Sequence, residues 1–264
     1  MNKNEIIQNM KLYLFDMDGT LYLGSRLYDF TIELLQEIRR TGGKYLFITN
    51  NSSKSVADYV KKLAGFGIEA TRDDFMTSSQ ATAYYLHKYH EGQRLYVCGT
   101  ESLKEELRGE GFTVTTNIDE VDCIVMGFDT ELTFQKLEDA CILLGRGVDF
   151  LATNPDWVCP TSYGSVPDCG SVCEMLFRAT GRRPKFIGKP EPDMALLAVE
   201  RTGFTKEQTL LIGDRVYTDI ACGVNAGVDT AFVLSGEGVV EDIEKFGVTP
   251  TAVFPHIRDI LAQM

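Results

Sequence analysis

Leu12-Tyr13-Leu14-Phe15-Asp16-Met17-Asp18-Gly19-Thr20 decides the fold of this 264-residue chain. Residues 12–15 are apolar and free of Gly or Pro, which reads as a short buried strand. Two carboxylates at i and i+2 follow at once, so they occupy the turn at the strand's carboxyl end. Open α/β sheets bind their ligands at that edge.

Three later segments also carry polar residues just past an apolar run. Thr49-Asn50-Asn51-Ser52 follows 45–48, Gly188-Lys189-Pro190 follows 185–187, and Gly213-Asp214-Arg215-Val216-Tyr217-Thr218-Asp219 follows 209–212. Strands converging on one edge of a parallel sheet would gather these carboxylates, a hydroxyl and an ammonium. Such a set suits metal-assisted transfer of a phosphoryl group to a carboxylate. Asp16 is the expected nucleophile, and Asp18 is expected to manage the leaving-group proton. A divalent cation and Lys189 would offset charge on the phosphoryl oxygens.

In this order the four segments resemble the motifs of the haloacid dehalogenase (HAD) superfamily of aspartyl phosphatases. Their spacing resembles the class IIA branch, the NagD-like and 4-nitrophenylphosphatase-like hydrolases, over about residues 11–236. The resemblance implies Mg²⁺ held by the carboxylates of Asp16 and Asp214 and by the backbone carbonyl of Asp18, oxygen ligands of the kind this ion takes. It also implies that Thr49 donates its hydroxyl, and Asn50 a backbone N–H, to the phosphoryl group. Lys189 would stand between Asp16 and phosphate, and Asp219 would orient Lys189 or a metal-bound water. Arg215 departs from the variant of the last motif with adjacent carboxylates, so Asp214 is the expected direct ligand. Gly19 is expected to let the backbone approach the phosphate.

Only 33 residues separate Asp16 from Thr49, room for a short flap over 19–27 and one helix. That helix is expected over 29–40, with Ile32, Leu35 and Ile38 on one face, Asp29 as N-cap and Gly42-Gly43 as the stop. A second is expected over 53–64. Then 140 residues separate Thr49 from Lys189, enough for a domain. Within them, strands are expected at 94–98, 122–127 and 149–152, and helices at 101–108, 134–144 and 171–180. Beyond Lys189 the pattern predicts a helix at 193–202, a strand at 209–212, a helix at 218–225 and strands at 230–234 and 251–254.

The expected fold is therefore α/β, a doubly wound parallel sheet forming a Rossmann-like HAD core. Its insert resembles a C2-type cap. The core would comprise 1–78 and 185–264, with the cap at 79–184 and a strand at 185–187 returning to the core. In the cap, Asn154-Pro155-Asp156-Trp157 and Val166-Pro167-Asp168-Cys169-Gly170-Ser171 resemble loops that face the active site in class IIA enzymes. Asn154, Asp156, Trp157, Asp168 and Cys169, with Tyr163, are accordingly expected near substrate.

Composition narrows the partners. A net charge of −12 opposes binding to nucleic acid, which needs clustered Lys and Arg. No run approaches the roughly 20 apolar residues that span a bilayer. The seven Cys form no Cys-x-x-Cys pair and read as packing residues in a reducing compartment. With no apolar segment of signal-peptide type in the first ten residues, a cytoplasmic location is expected. His87, His90 and His256 form no metal-ligand pattern, and neither a phosphate-binding Gly-rich loop with Lys nor a Gly-x-Ser-x-Gly elbow is present.

The expected activity is Mg²⁺-dependent hydrolysis of small phosphomonoesters through an aspartyl-phosphate on Asp16. A receiver-like phosphoacceptor protein also combines Asp, Thr and Lys, but Asp18 and the long insert oppose it. A phosphotransferase of the same fold more often carries its cap between the first two motifs, where this chain has little room. Oligomeric state and the physiological ester have no signature in the sequence.

Overall fold

The computed structural model describes residues 3–161 and 163–264. In chain order the first part comprises α1 (Lys3–Asn9), β1 (Leu12–Phe15), β2 (Tyr22–Leu23), β3 (Arg26–Leu27), α2 (Thr31–Arg40), β4 (Lys44–Thr49), α3 (Val56–Gly65) and β5 (Phe75–Thr77). The insert follows as α4 (Ser78–Tyr89), β6 (Arg94–Cys98), α5 (Glu101–Gly109), β7 (Thr113–Val114), β8 (Cys123–Met126), α6 (Phe134–Gly145), β9 (Asp149–Ala152), β10 (Val158–Thr161), β11 (Gly164–Pro167), α7 (Cys169–Thr180) and β12 (Lys185–Phe186). The last part holds α8 (Asp193–Thr202), β13 (Thr209–Gly213), α9 (Ala221–Ala226), β14 (Asp229–Val233), α10 (Glu241–Phe246), β15 (Ala252–Phe254) and α11 (Ile257–Leu261).

Two compact units result. One is built from residues up to Thr49, Tyr59–Met76 and Lys189–Met264, the other from Asn50–Asp58 and Thr77–Gly188. The first holds a six-stranded sheet in the order β15-β14-β13-β1-β4-β5. Strand β1 pairs parallel with β13 on one side, Phe15 opposite Ile212, and with β4 on the other, Phe15 opposite Phe47. Both β1 and β13 are buried along their whole length, as strands covered on two faces must be. The carboxyl ends of β1, β4 and β13 deliver Asp16, Thr49 and Asp214 to one edge of the sheet.

The second unit has its own five-stranded parallel sheet, ordered β12-β9-β8-β6-β7. Side-chain alternation splits its core in two. Tyr96, Cys98, Ile124, Met126, Phe150 and Ala152 pack with α6 and α7, while Leu95, Val97, Cys123, Val125 and Leu151 pack with α4 and α5. Strands whose alternate residues are both apolar require helices on both faces, hence the second α/β sandwich.

Several expectations need correction. The strand before Lys189 belongs to the insert's sheet rather than the core, since Lys185 pairs with Leu151 and Phe186 with Ala152. Helix α2 starts at Thr31, and its N-cap is Phe30 in a left-handed conformation, not Asp29. Strand β5, helix α1 and the β10–β11 hairpin were not anticipated. Among the described residues no cysteine is in a disulfide, and five of the seven are buried, as their apolar neighbours suggest. Among the described residues, no helix is long and apolar enough to cross a membrane.

Candidate active site

The chemistry gathers where β1 and β13 end. The Asp16 N–H still donates to the Ile212 carbonyl at 2.8 Å, so the ladder fixes the backbone at the point where the chain turns. The Met17 carbonyl then accepts from Leu21 at 2.9 Å, and the Gly19 N–H donates to Tyr22 at 2.7 Å, closing a tight loop. Gly19 has φ +89°, and a Cβ there would run into the Asp214 carboxylate. Glycine is therefore needed for its backbone conformation and for the closeness of Asp214.

Lys189 is the hub. Its Nζ donates to Asp16 Oδ1 and to Asp219 Oδ1, each at 2.6 Å, and the residue is only 3% exposed. Asp219 reaches it from a π-turn over Val216–Ile220, a backbone irregularity often found at functional sites. The other carboxylate oxygen of Asp219 accepts the Arg215 N–H at 3.0 Å. Both Asp219 oxygens thus have protein donors, the arrangement expected of a residue that orients the lysine. The peptide after Lys189 is pinned by Asn225, whose Nδ2 donates to the Pro190 carbonyl at 2.9 Å.

Asp214 is held by a loop to which sequence reading assigned no role. Its Oδ2 accepts the Glu237 N–H at 2.7 Å, and its carbonyl accepts the Gly238 N–H at 3.1 Å. Gly236 also has no room for a Cβ beside this carboxylate. The signal available in the sequence was Gly236-Glu237-Gly238 directly beyond β14. Asp214 Oδ1 is buried and has no hydrogen-bond partner among the described residues.

One carboxylate oxygen from each of Asp16, Asp214 and Asp219 lies within 4.8 Å of the other two. Among the described residues, this is the only such acidic, His or Cys cluster. A single ammonium sits among three carboxylates, and the imbalance shows in the proton affinities of Asp16 and Asp214. Burial pushes Asp16 up to about 8; Lys189 pulls against this, while Asp219 and Asp214 add to it. Burial and then Asp219 push Asp214 up to about 6. For Lys189, burial works against the charged form, but Asp16 and Asp219 outweigh it and raise its proton affinity. A divalent cation would supply the missing charge, and the orphaned Asp214 Oδ1 offers it a hard ligand. The donor set fits such an ion.

The remaining expected residues lie apart from this cluster in character. Asp18 is exposed at the head of the turn, its Oδ1 3.5 Å from the Gly24 N–H of the β2–β3 flap. Thr49 is half-buried at the end of β4. Asn50 belongs to the second unit: its Nδ2 donates to both Asp156 oxygens at 3.2 and 3.1 Å, and its carbonyl accepts from Ser78 Oγ at 2.6 Å and Asn154 Nδ2 at 3.0 Å. Asn154 is fully buried, so its amide serves this chain segment.

Cys169 is likewise fully buried, in the core beneath α7. Asp168 is the N-cap of α7, accepting the Cys169 N–H, and burial pushes its carboxyl up to about 7. Of the residues expected near substrate, Trp157 and Tyr163 stand out, being 61% and 82% exposed around the β10–β11 hairpin.

Comparison with known proteins agrees with this geometry. Residues 13–113 match the haloacid dehalogenase-like hydrolase family, and residues 186–260 match a HAD-hydrolase-like family. The acid sugar phosphatase of Staphylococcus aureus is 33% identical over 258 residues, 98% of this chain and 99% of that protein. A crystal structure of 4-nitrophenylphosphatase from Thermotoga maritima superposes with a TM-score of 0.92 at 36% identity, covering 98% of each chain. Glycerol phosphate phosphatase from Mycobacterium tuberculosis, solved in complex with calcium, gives 0.89 at 31% identity, covering 97% of this chain and 76% of that one. With relatives of this kind along its whole length, the receiver-like reading falls away: the chain belongs to the HAD-like hydrolases, in the NagD-like, 4-nitrophenylphosphatase-like class IIA branch, and is a phosphatase of small phosphomonoesters.

Proposed function

We propose that the enzyme hydrolyses its ester in two displacements, with Asp16 as the nucleophile and Mg²⁺ as the cation. The observation that carries this reading is the pairing of Asp16 with buried Lys189 beside an unpartnered Asp214 oxygen. Asp16 attacks phosphorus and expels the alcohol, forming an aspartyl-phosphate. Asp18 gives the departing oxygen its proton, then takes one from the water that cleaves the acyl-phosphate. Lys189, held against Asp16 Oδ1, offsets the negative charge of the phosphoryl oxygens as the group arrives. Thr49 binds a phosphoryl oxygen through its hydroxyl.

Asp16, Asp214 and the Asp18 carbonyl would hold the cation, which when bound screens the repulsion between a carboxylate and a phosphate dianion. Asp219 keeps Lys189 aimed. The inserted unit, taken as a cap over about 79–184, supplies recognition of the leaving group, with Trp157 and Tyr163 among its exposed aromatic side chains. Sugar, polyol and aryl phosphates are the substrate classes that the relatives' activities suggest.

Assaying the purified protein against a panel of phosphate esters tests this. Release of phosphate from small esters that stops in chelator and returns with Mg²⁺ is the expected result. Turnover in excess chelator, or no activity on any small ester, would refute it.

A further inference from the structure

The loop after β14 does more than flank Asp214. Ser235 Oγ donates at 2.9 Å to the carbonyl of Gly19, the residue directly after Asp18. Two residues on, the Glu237 N–H holds Asp214 Oδ2, and the Gly238 N–H holds the Asp214 carbonyl. One short loop therefore grips both acidic turns, which lie 196 residues apart in sequence from Asp18 to Asp214. The loop is itself pinned from the far side: Tyr28 Oη donates to the Ser235 carbonyl at 2.6 Å. Tyr28 is fixed in turn, its N–H donating to Leu21 at 3.0 Å and its ring meeting His256 edge-on at 5.2 Å. Every member belongs to the same compact unit.

We infer that Tyr28 and Ser235 are positioning residues for this phosphatase, a two-bond relay that holds the Asp18 turn and the Asp214 loop in register. The inference rests on the roles proposed for Asp18 and Asp214. Small misplacements of groups that act on a reacting centre are costly in rate, whereas ground-state binding of the ester through other contacts is spared. A single neutral hydrogen bond contributes little to global stability, so loss of the relay should register in catalysis before it registers in unfolding. The relay also acts as one unit, because the Tyr28 hydroxyl is linked to Gly19 through Ser235.

Tyr28→Phe and Ser235→Ala each remove one hydroxyl and leave the packing in place. Each should lower kcat about tenfold while KM for the ester stays within about twofold, and each should weaken Mg²⁺ binding measured by calorimetric titration. The double variant should be no worse than the worse single variant, the signature of a shared path. Wild-type kcat and Mg²⁺ affinity in both singles would overturn the inference. So would losses that multiply in the double variant, or a kcat loss that tracks a matching fall in thermal midpoint. Inactive Asp16→Asn protein alongside wild-type Tyr28→Phe and Ser235→Ala would sink this relay and spare the proposed chemistry. Active Asp16→Asn protein would sink the chemistry itself.

Discussion

At the scale of single residues, the active site is a charge imbalance held in place by packing. Half-buried Asp16 and buried Asp214 share one ammonium with Asp219, and their positions follow from strands whose ladders end beneath them. The acidic pairs and Lys189 were legible in the sequence because each directly follows an apolar run. Glu237 and Gly238 were not, because residues that grip through backbone N–H groups need no particular side chain. The imbalance has a pH signature. Asp16 titrates near 8 in the folded chain against the usual 3.8 when unfolded, so between these values the folded state holds the extra proton. Stability therefore falls as pH rises through that window. Asp214, near 6, and Asp168, near 7, act in the same direction at lower pH, leaving the part above pH 7 chiefly to Asp16. Metal-free protein should melt at a lower temperature at pH 8.5 than at pH 5.5. Asp16→Asn should flatten the upper part of that slope, and Mg²⁺ should raise the midpoint more at the higher pH. Thermal midpoints independent of pH in chelator would contradict the assignment.

At the scale of elements, the long, strongly patterned pieces read true and the short ones did not. Strand β1 lies where its apolar run put it, and α6 and α8 follow their periodicity. The two-residue strand β12 carries nothing locally to say which sheet it joins; pairing with β9 decides that. The N-cap of α2 failed for a related reason: Phe30 accepts a left-handed backbone (φ 69°) because tertiary contacts hold the helix start, while Asp29 lies one residue too early. Asp168, expected near substrate, caps α7 in the fold. If it serves α7, Asp168→Asn should keep the fold and the order of preference among esters, since Asn caps as well as Asp. Asp168→Ala should cost about 1 kcal/mol in unfolding. A changed ester preference in Asp168→Asn would return the residue to the substrate. In the turn after β1, Gly19→Ala should abolish activity, because both its positive φ and the Asp214 carboxylate leave no room for a methyl group. Full activity in that variant would mean that the turn is not held as described.

At the scale of the whole molecule, two parallel α/β sandwiches share one chain, and only the first carries the acidic cluster. The interval of 140 residues between Thr49 and Lys189 made the insertion legible. Its exact seam was not, because Asn50–Asp58 and the strand before Lys189 associate with the insert through contacts that no local pattern encodes. The proposed division of labour gives the chemistry to the first unit and the selection of the ester to the second. Trp157→Ala should alter relative kcat/KM among esters while leaving the Mg²⁺ requirement intact. Its side chain is 61% exposed, so stability should move by no more than about 0.5 kcal/mol. An unchanged ranking across a broad ester panel would remove Trp157 from substrate selection. The central claim is covalent catalysis at Asp16, and one measurement tests it most directly. Asp18→Asn protein, mixed with a ³²P-labelled ester and Mg²⁺ and quenched in acid within a single turnover, should carry hydroxylamine-labile label on the peptide containing Asp16. Asp16→Asn protein should carry none. Label on another residue, or phosphate release by Asp16→Asn protein at the wild-type rate, would contradict the mechanism.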